Sequence, residues 1–164
     1  MDDARSDLVE AVELCRREGE REELAQALTG LGQIERDLQH LAVARGLYQE
    51  AVTIYRSVDN PLKLAHAVRH VGDILRHEGQ THLADSSYQE ALTIYRGNAQ
   101  TLPLDLANTI RGLAILKADT GQLEQSKLLW EEAGGLYAAV HVEAGVAECS
   151  RRVAELAQKT RRTS

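Results

Sequence analysis

Cysteine is scarce in this chain of 164 residues: Cys15 and Cys149 stand alone, near opposite ends. That excludes a disulfide-stapled scaffold, and the pair lacks the close Cys-x-x-Cys spacing of a zinc or redox motif. No apolar run approaches the roughly 20 residues that a membrane-crossing helix needs. The opening Met-Asp-Asp-Ala-Arg-Ser-Asp has neither the basic stretch nor the apolar core of a signal peptide. Basic charge is outnumbered, 19 Lys and Arg against 25 Asp and Glu, for a net charge of −6. A negative balance of that kind works against nonspecific attachment to nucleic acid or anionic membrane. These absences point to a reducing, cytoplasmic setting. What is present is an apolar fraction of 43%, too high for a disordered chain, in a length that suits one domain or one short array.

The six aromatic residues carry the organisation. Tyr48/Tyr55, Tyr88/Tyr95 and Trp130/Tyr137 form three pairs, each seven residues apart, and the pairs recur after 40 and then 42 residues. The text around them repeats: YQEAVTIYR at 48–56, YQEALTIYR at 88–96 and WEEAGGLYA at 130–138. Gly32, Gly72 and Ala114 precede Ala44, Ala84 and Ser126 by twelve residues each, and those precede the first aromatic of each pair by four. Such a lattice marks a tandem repeat.

Each unit reads as two helices. Residues 24–38, 64–79 and 106–121 carry apolar side chains at i, i+3, i+4 and i+7, as do the aromatic-bearing segments, and no stretch alternates as a strand does. Gly79 and Gly121 punctuate turns within units, where a residue of positive φ ends a helix. Pro61 and Pro103 lie at junctions between units, where a proline in the first turn costs no hydrogen bond. Small residues at 32, 72 and 114 let paired helices approach closely, and the ring four residues beyond the facing small residue fills the space.

This register resembles the tetratricopeptide repeat: a small residue in helix A, a small residue early in helix B, an aromatic four later and alanine three after that. The resemblance covers Leu24 to Tyr137 in three copies of the long-helix kind. It implies an all-α, right-handed α-solenoid of stacked antiparallel helix pairs, with about eight helices near 2–18, 22–37, 40–57, 61–78, 81–97, 103–119, 122–138 and 141–160. Residues 1–164 would form one array: a partial repeat with helix B only at 1–19, repeats at 20–59, 60–101 and 102–140, and a capping helix with a basic tail at 141–164. Starting on a lone helix B suggests excision from a longer protein, or an end that packs on something.

The resemblance further implies a groove lined by the A helices and used to bind a protein or peptide. Family positions place Gln33, His66, Arg69, His70, Asp73, Asn108 and Arg111 there. Gln26, Thr29, Arg36, Arg76 and His77 join them, with Ile115, Asp119, Glu148, Arg151 and Glu155 further along. Cations outnumber acids among them, so an acidic segment is the expected ligand, since Arg grips carboxylate bidentately. Arg and His would supply charge, Asp73 would orient a neighbouring cation, and Gln33 and Asn108 would flank as hydrogen-bonding groups. The Lys and Asn of the family's carboxylate clamp are missing but for Asn108. Gly30, His70 and Gly112 replace an Asn that grips peptide backbone in long-repeat relatives.

His66, His70, Asp73 and His77 share one helical face, and groove-lining histidines outweigh zinc chelation as their reading, because His77 lies about 16 Å along the axis from His66. Acidification near pH 6.5 would then raise the charge of the groove. No nucleophile elbow, phosphate loop or facing carboxylate pair occurs, so the expectation is no enzyme, no metal and no cofactor. Nucleic acid is disfavoured because no aromatic is interleaved with cations. An alternative is a structural or oligomerisation segment of a larger bacterial-type regulator, acting through its terminal helices as a homo-oligomer. Residues 1–23 carry nine acids against four arginines, whereas residues 145–164 carry five cations against two acids, which would favour head-to-tail contact.

Overall fold

A computed structural model describes residues 2–163, with Asp2 and residues 161–163 described in backbone only. Arg161 and Arg162 of the expected basic tail thus lie outside the described side chains. Eight α-helices follow one another: α1 (Asp2–Glu18), α2 (Arg21–Asp37), α3 (Leu41–Ser57), α4 (Pro61–His77), α5 (Thr81–Gly97), α6 (Pro103–Asp119), α7 (Leu123–Ala139) and α8 (Glu143–Thr163). Consecutive helices pack in antiparallel pairs, α2 on α3, α4 on α5 and α6 on α7, and the pairs stack in order as a tetratricopeptide-like solenoid. The even-numbered helices are the A helices and the odd-numbered ones the B helices. None among the described residues is long and apolar enough to cross a membrane.

Regularity comes from the turns. Helix starts at 21, 41, 61 and 81 are 20 residues apart, as are those at 103, 123 and 143. The two extra residues that lengthen one repeat to 42 therefore sit wholly in the α5–α6 loop. Elsewhere the chain reverses through one left-handed residue. Gly79 (φ 73°) and Gly121 (φ 78°) fill it as their type predicts, but Gln39 (64°), Asp59 (52°) and His141 (57°) do so without being glycine. The backbone bonds His40 N to Glu35 O, Gln80 N to Leu75 O and Gln122 N to Lys117 O, each 2.8 Å, satisfy the terminal carbonyls and impose that conformation. Pro61 and Pro103 start α4 and α6, and Asn60 caps α4 by accepting from Lys63 N at 3.2 Å.

The aromatic lattice forms the spine of the core. Tyr48, Tyr88 and Trp130 are 0–1% exposed, and Tyr55, Tyr95 and Tyr137 only 2–3%. A Cβ built on Gly32 or Gly72 would stand 3.2 Å from the ring of Tyr48 or Tyr88, and on Gly112 it would stand 2.6 Å from Tyr88 Cε1. Tyr88 is thus clasped by glycines on both α4 and α6. Gly112→Ala is expected to lower the unfolding free energy by about 1–3 kcal/mol through overpacking. Gly46→Ala, whose Cβ would meet nothing within 4 Å, is expected to raise it by about 0.5–1 kcal/mol. Urea melts of the two variants check this, and shifts of the same sign would contradict the packing account.

Charged side chains repeat on the same lattice. Arg16–Glu50, Arg56–Glu90 and Arg96–Glu132 tie successive B helices at 2.6–2.8 Å, all at the surface, where each contributes about 0.2–1 kcal/mol. One acid is different: Glu35 on α2 is 2% exposed and receives Arg5 Nε at 2.6 Å, with His40 Nδ1 at 2.7 Å. The His40 contact and Arg5 outweigh burial and hold the Glu35 carboxyl below its ordinary range. This pair fastens α1 to the stack.

Candidate functional site

The A helices present a row of polar side chains that no B helix covers. Between α2, α4 and α6 lies a cleft of about 250 Å³, walled by Arg36, Asp37, Asp73, Arg76, His77 and Arg111, with Gln39, Leu41 and Ile74 at its edges. Three successive repeats contribute guanidiniums to it because Arg36, Arg76 and Arg111 face the same side of α2, α4 and α6.

Asp73 is the hub. Its Oδ2 accepts from Arg69 Nη1 at 3.0 Å and its Oδ1 from the Tyr88 hydroxyl at 2.7 Å. Burial works to raise the Asp73 carboxyl, but His70, Arg69 and Tyr88 outweigh it and hold it below the ordinary range. Both oxygens are therefore engaged and the group stays ionised.

His70 turns inward. It is 5% exposed, lies flat on the Tyr48 ring (centroids 4.8 Å, 14° between planes) and meets His66 edge-on at 4.6 Å. Burial pushes its imidazole down to about 4, so it is neutral at neutral pH, and a depressed value rather than one near 6.5 governs its titration. Arg69 Nη2 stands 2.8 Å from Nε2 and Arg36 Nη1 stands 3.1 Å from Nδ1. A neutral imidazole has one acceptor nitrogen. Both ring nitrogens thus face a guanidinium, so His70 accepts from one of the two arginines, and its Nδ1 also stands 3.6 Å from Asp73 Oδ2. His66 is half-buried and likewise lowered by burial, whereas His77 is exposed. The three histidines that share a face in the sequence thus split between core, edge and solvent. No three His, Cys, Asp or Glu side chains converge to hold a metal ion among the described residues.

The other sequence-derived residues spread along the row. Arg111 donates bidentately to Glu148 on α8, Nε to Oε2 at 2.8 Å and Nη2 to Oε1 at 2.9 Å. Asn108 accepts from the Tyr137 hydroxyl at 2.8 Å, which leaves its amide N–H groups free of that contact. Gln33 is exposed on α2. Arg36 is bonded to Asp37 through Nε and Nη2 (3.1 and 2.8 Å), and Arg76 has its nearest carboxylate, Asp119, at 3.9 Å. Packing alone does not account for the tyrosines: the hydroxyls of Tyr88 and Tyr137 reach Asp73 and Asn108. The signal was there in composition: five tyrosines and no phenylalanine. Cys149 is buried, which pushes its thiol up, while Cys15 is partly open, less buried than its apolar register suggests.

A sequence profile described as tetratricopeptide repeat matches residues 1–57. No curated protein matches the chain. Among solved structures, BtubC (BKLC) from P. vanneervenii superposes with a TM-score of 0.76 at 21% identity, over 86% of this chain and 58% of that one. This chain therefore spans little more than half of that relative's length. The nearly identical TPR-like repeats of a Podospora anserina kinesin light chain give 0.66 at 16% identity, over 98% of this chain and 89% of that one. MamA gives 0.54 at 13% identity, over 99% and 96%. At these identities the likeness is one of fold.

Proposed function

We propose that this chain, a member of the tetratricopeptide repeat family, is a non-catalytic protein-interaction scaffold whose A-helix cleft holds an acidic peptide segment. The family serves protein interaction in general; the acidic ligand is the reading that this cleft supports. One observation carries it: three repeats converge guanidiniums on one cleft whose central carboxylate is already fully bonded.

A ligand carboxylate entering the cleft meets Arg76, whose nearest acid is the exposed Asp119 at 3.9 Å, and Arg36, whose Nη1 faces the neutral His70 and not a carboxylate. Charge-assisted N–H···O bonds of this kind are about twice as strong as neutral ones. Asp73 does not repel the ligand as a free carboxylate would, because Arg69 and Tyr88 neutralise and fix it. His70, uncharged and stacked on Tyr48, is a positioning residue that spaces Arg36 from Arg69. Gln33 and the Asn108 amide flank the cleft as donors and acceptors for peptide backbone. The partners are in place before the ligand arrives, so little side-chain entropy is lost on binding.

The test is selection from a random-peptide phage library, followed by fluorescence anisotropy on the selected sequences. Asp- and Glu-rich peptides should be enriched, and Arg36→Gln and Arg76→Gln should each weaken them about tenfold. Enrichment of neutral or basic peptides, or binding that both variants leave untouched, would remove the cleft from the function.

A further inference from the structure

One guanidinium of the cleft is already gripped as a ligand carboxylate would grip it. Glu148 on α8 accepts from Arg111 Nε at 2.8 Å and from Arg111 Nη2 at 2.9 Å, one bond to each oxygen. This is the fork-to-fork geometry in which arginine recognises carboxylate. Glu148 is the sixth residue of its helix, and the sixth residues of α2, α4 and α6 are Gln26, His66 and Asn108. Only α8 sets an acid at this register of the polar row. The pair is not sealed in the core: the Arg111 side chain is 41% exposed and that of Glu148 21%. A ligand can reach it.

A second arrangement of the same carboxylate is built into α8. Arg151 and Arg152 follow Glu148 by three and four residues, on the same side of the helix. Arg111 foremost, and then Arg152 and Arg151, hold the Glu148 carboxyl below its ordinary range against the opposing effect of burial. Both α8 arginines meet Glu155 at longer range, 3.8 Å from Arg151 Nε and 3.3 Å from Arg152 Nη1. A Glu148 carboxylate that leaves Arg111 therefore finds a cation one turn along its own helix, with the acid N-terminal to the base, the favourable order.

On the reading that the cleft holds an acidic segment, we infer that Glu148 is its tethered competitor: an entering carboxylate gains Arg111 only by displacing Glu148 onto Arg151 or Arg152. The exchange is like for like. Arg111 begins and ends with two charge-assisted bonds, so in the native chain it adds little affinity. Apparent affinity is instead lowered by the fraction of molecules in which Arg111 is closed. What the contact supplies is selection. A neutral side chain offers Arg111 weaker bonds than Glu148 does and leaves the pair intact, whereas a carboxylate competes on equal terms. Arg36 and Arg76 then supply the pull, and Arg111 supplies the filter.

Fluorescence anisotropy of the full chain with fluorescein-labelled hexaglutamate tests it. Glu148→Gln keeps the shape of the side chain and removes its charge, and should bind the probe about tenfold more tightly than wild type. Adding Arg111→Gln to that variant should abolish the gain, because the gain acts through Arg111. Glu143→Gln makes the same change of charge on the same helix about 7.5 Å earlier along the axis, and should move affinity by less than about twofold. None of the three side chains is buried, so circular dichroism should be the same for every variant. A Glu148→Gln affinity no tighter than wild type, a gain that survives the loss of Arg111, or an equal gain from Glu143→Gln would each overturn the inference and leave the acidic-segment reading in place. A probe that neither wild type nor Glu148→Gln binds would overturn both.

Discussion

Tyr88→Ala is expected to lower the unfolding free energy by about 3–5 kcal/mol, the range for removing a large ring from a packed interior. The position is severe for two reasons. Its ring is completely buried between Gly72 on α4 and Gly112 on α6, and neither of these contacts has a side chain to move into the void. Its hydroxyl also holds Asp73 in place at 2.7 Å, and the truncation leaves that half-buried carboxylate with one partner fewer. Tyr88→Phe separates the two contributions: it keeps the ring and removes a hydrogen bond to a charged group, at about 1.5–3 kcal/mol. Urea denaturation of wild type and both variants gives the comparison. An alanine variant within about 1 kcal/mol of wild type would mean that α4 and α6 close over the gap, contrary to the rigid spine described above. Because Tyr88 touches two repeats, its loss should also broaden the transition, as coupling between stacked units weakens.

The second large effect is an acid-side loss of stability centred on His70. Burial depresses its imidazole from 6.5 to about 4 in the folded chain. As pH falls below 6.5 the unfolded chain takes up a proton that the folded chain refuses, so stability is full above that value and declines toward pH 4. At 1.36 kcal/mol for each pKa unit, the whole decline is about 3 kcal/mol. The groups facing His70 are Arg36 from α2, Tyr48 from α3, and His66, Arg69 and Asp73 on α4 itself. His66 is lowered too and adds to the decline with the same sign. The carboxylates held low, Glu22, Glu35, Asp73 and Glu148, lose their contribution only below their ordinary 4.5 or 3.8, so the window from 6.5 to 4.5 isolates the histidines. Denaturant midpoints followed through that window should fall in wild type and much less in His70→Gln. An NMR titration that finds His70 protonating near 6.5 would sink the account.

Much of this molecule is legible from spacing alone. Every aromatic lies on one lattice with glycine or alanine at fixed offsets, and a helix pair is the only regular structure that brings such offsets together in space. Helix number, order and pairing follow from that periodicity and from the glycines and prolines at the turns. The left-handed turns at Gln39, Asp59 and His141 were not legible, because there the backbone hydrogen bonds of the preceding helix, rather than residue type, select the conformation. Glu35 was equally hidden: an acid amid apolar periodicity reads as surface until Arg5, thirty residues away, is seen beside it.

The candidate site divides along the same line. Composition and register were enough to put Arg69, Asp73, Asn108 and Arg111 on the A helices, since a helix of known face fixes where each Cβ points. They could not say which charges are spent. That Asp73 is clamped by Arg69 and Tyr88, that Arg111 belongs to Glu148, and that His70 lies neutral against Tyr48 all depend on side chains from neighbouring repeats. Helix identity is a local property, written in the period of one segment. Protonation, pairing and exposure are set by what the next repeat places a few ångströms away, and only the stacked structure decides that.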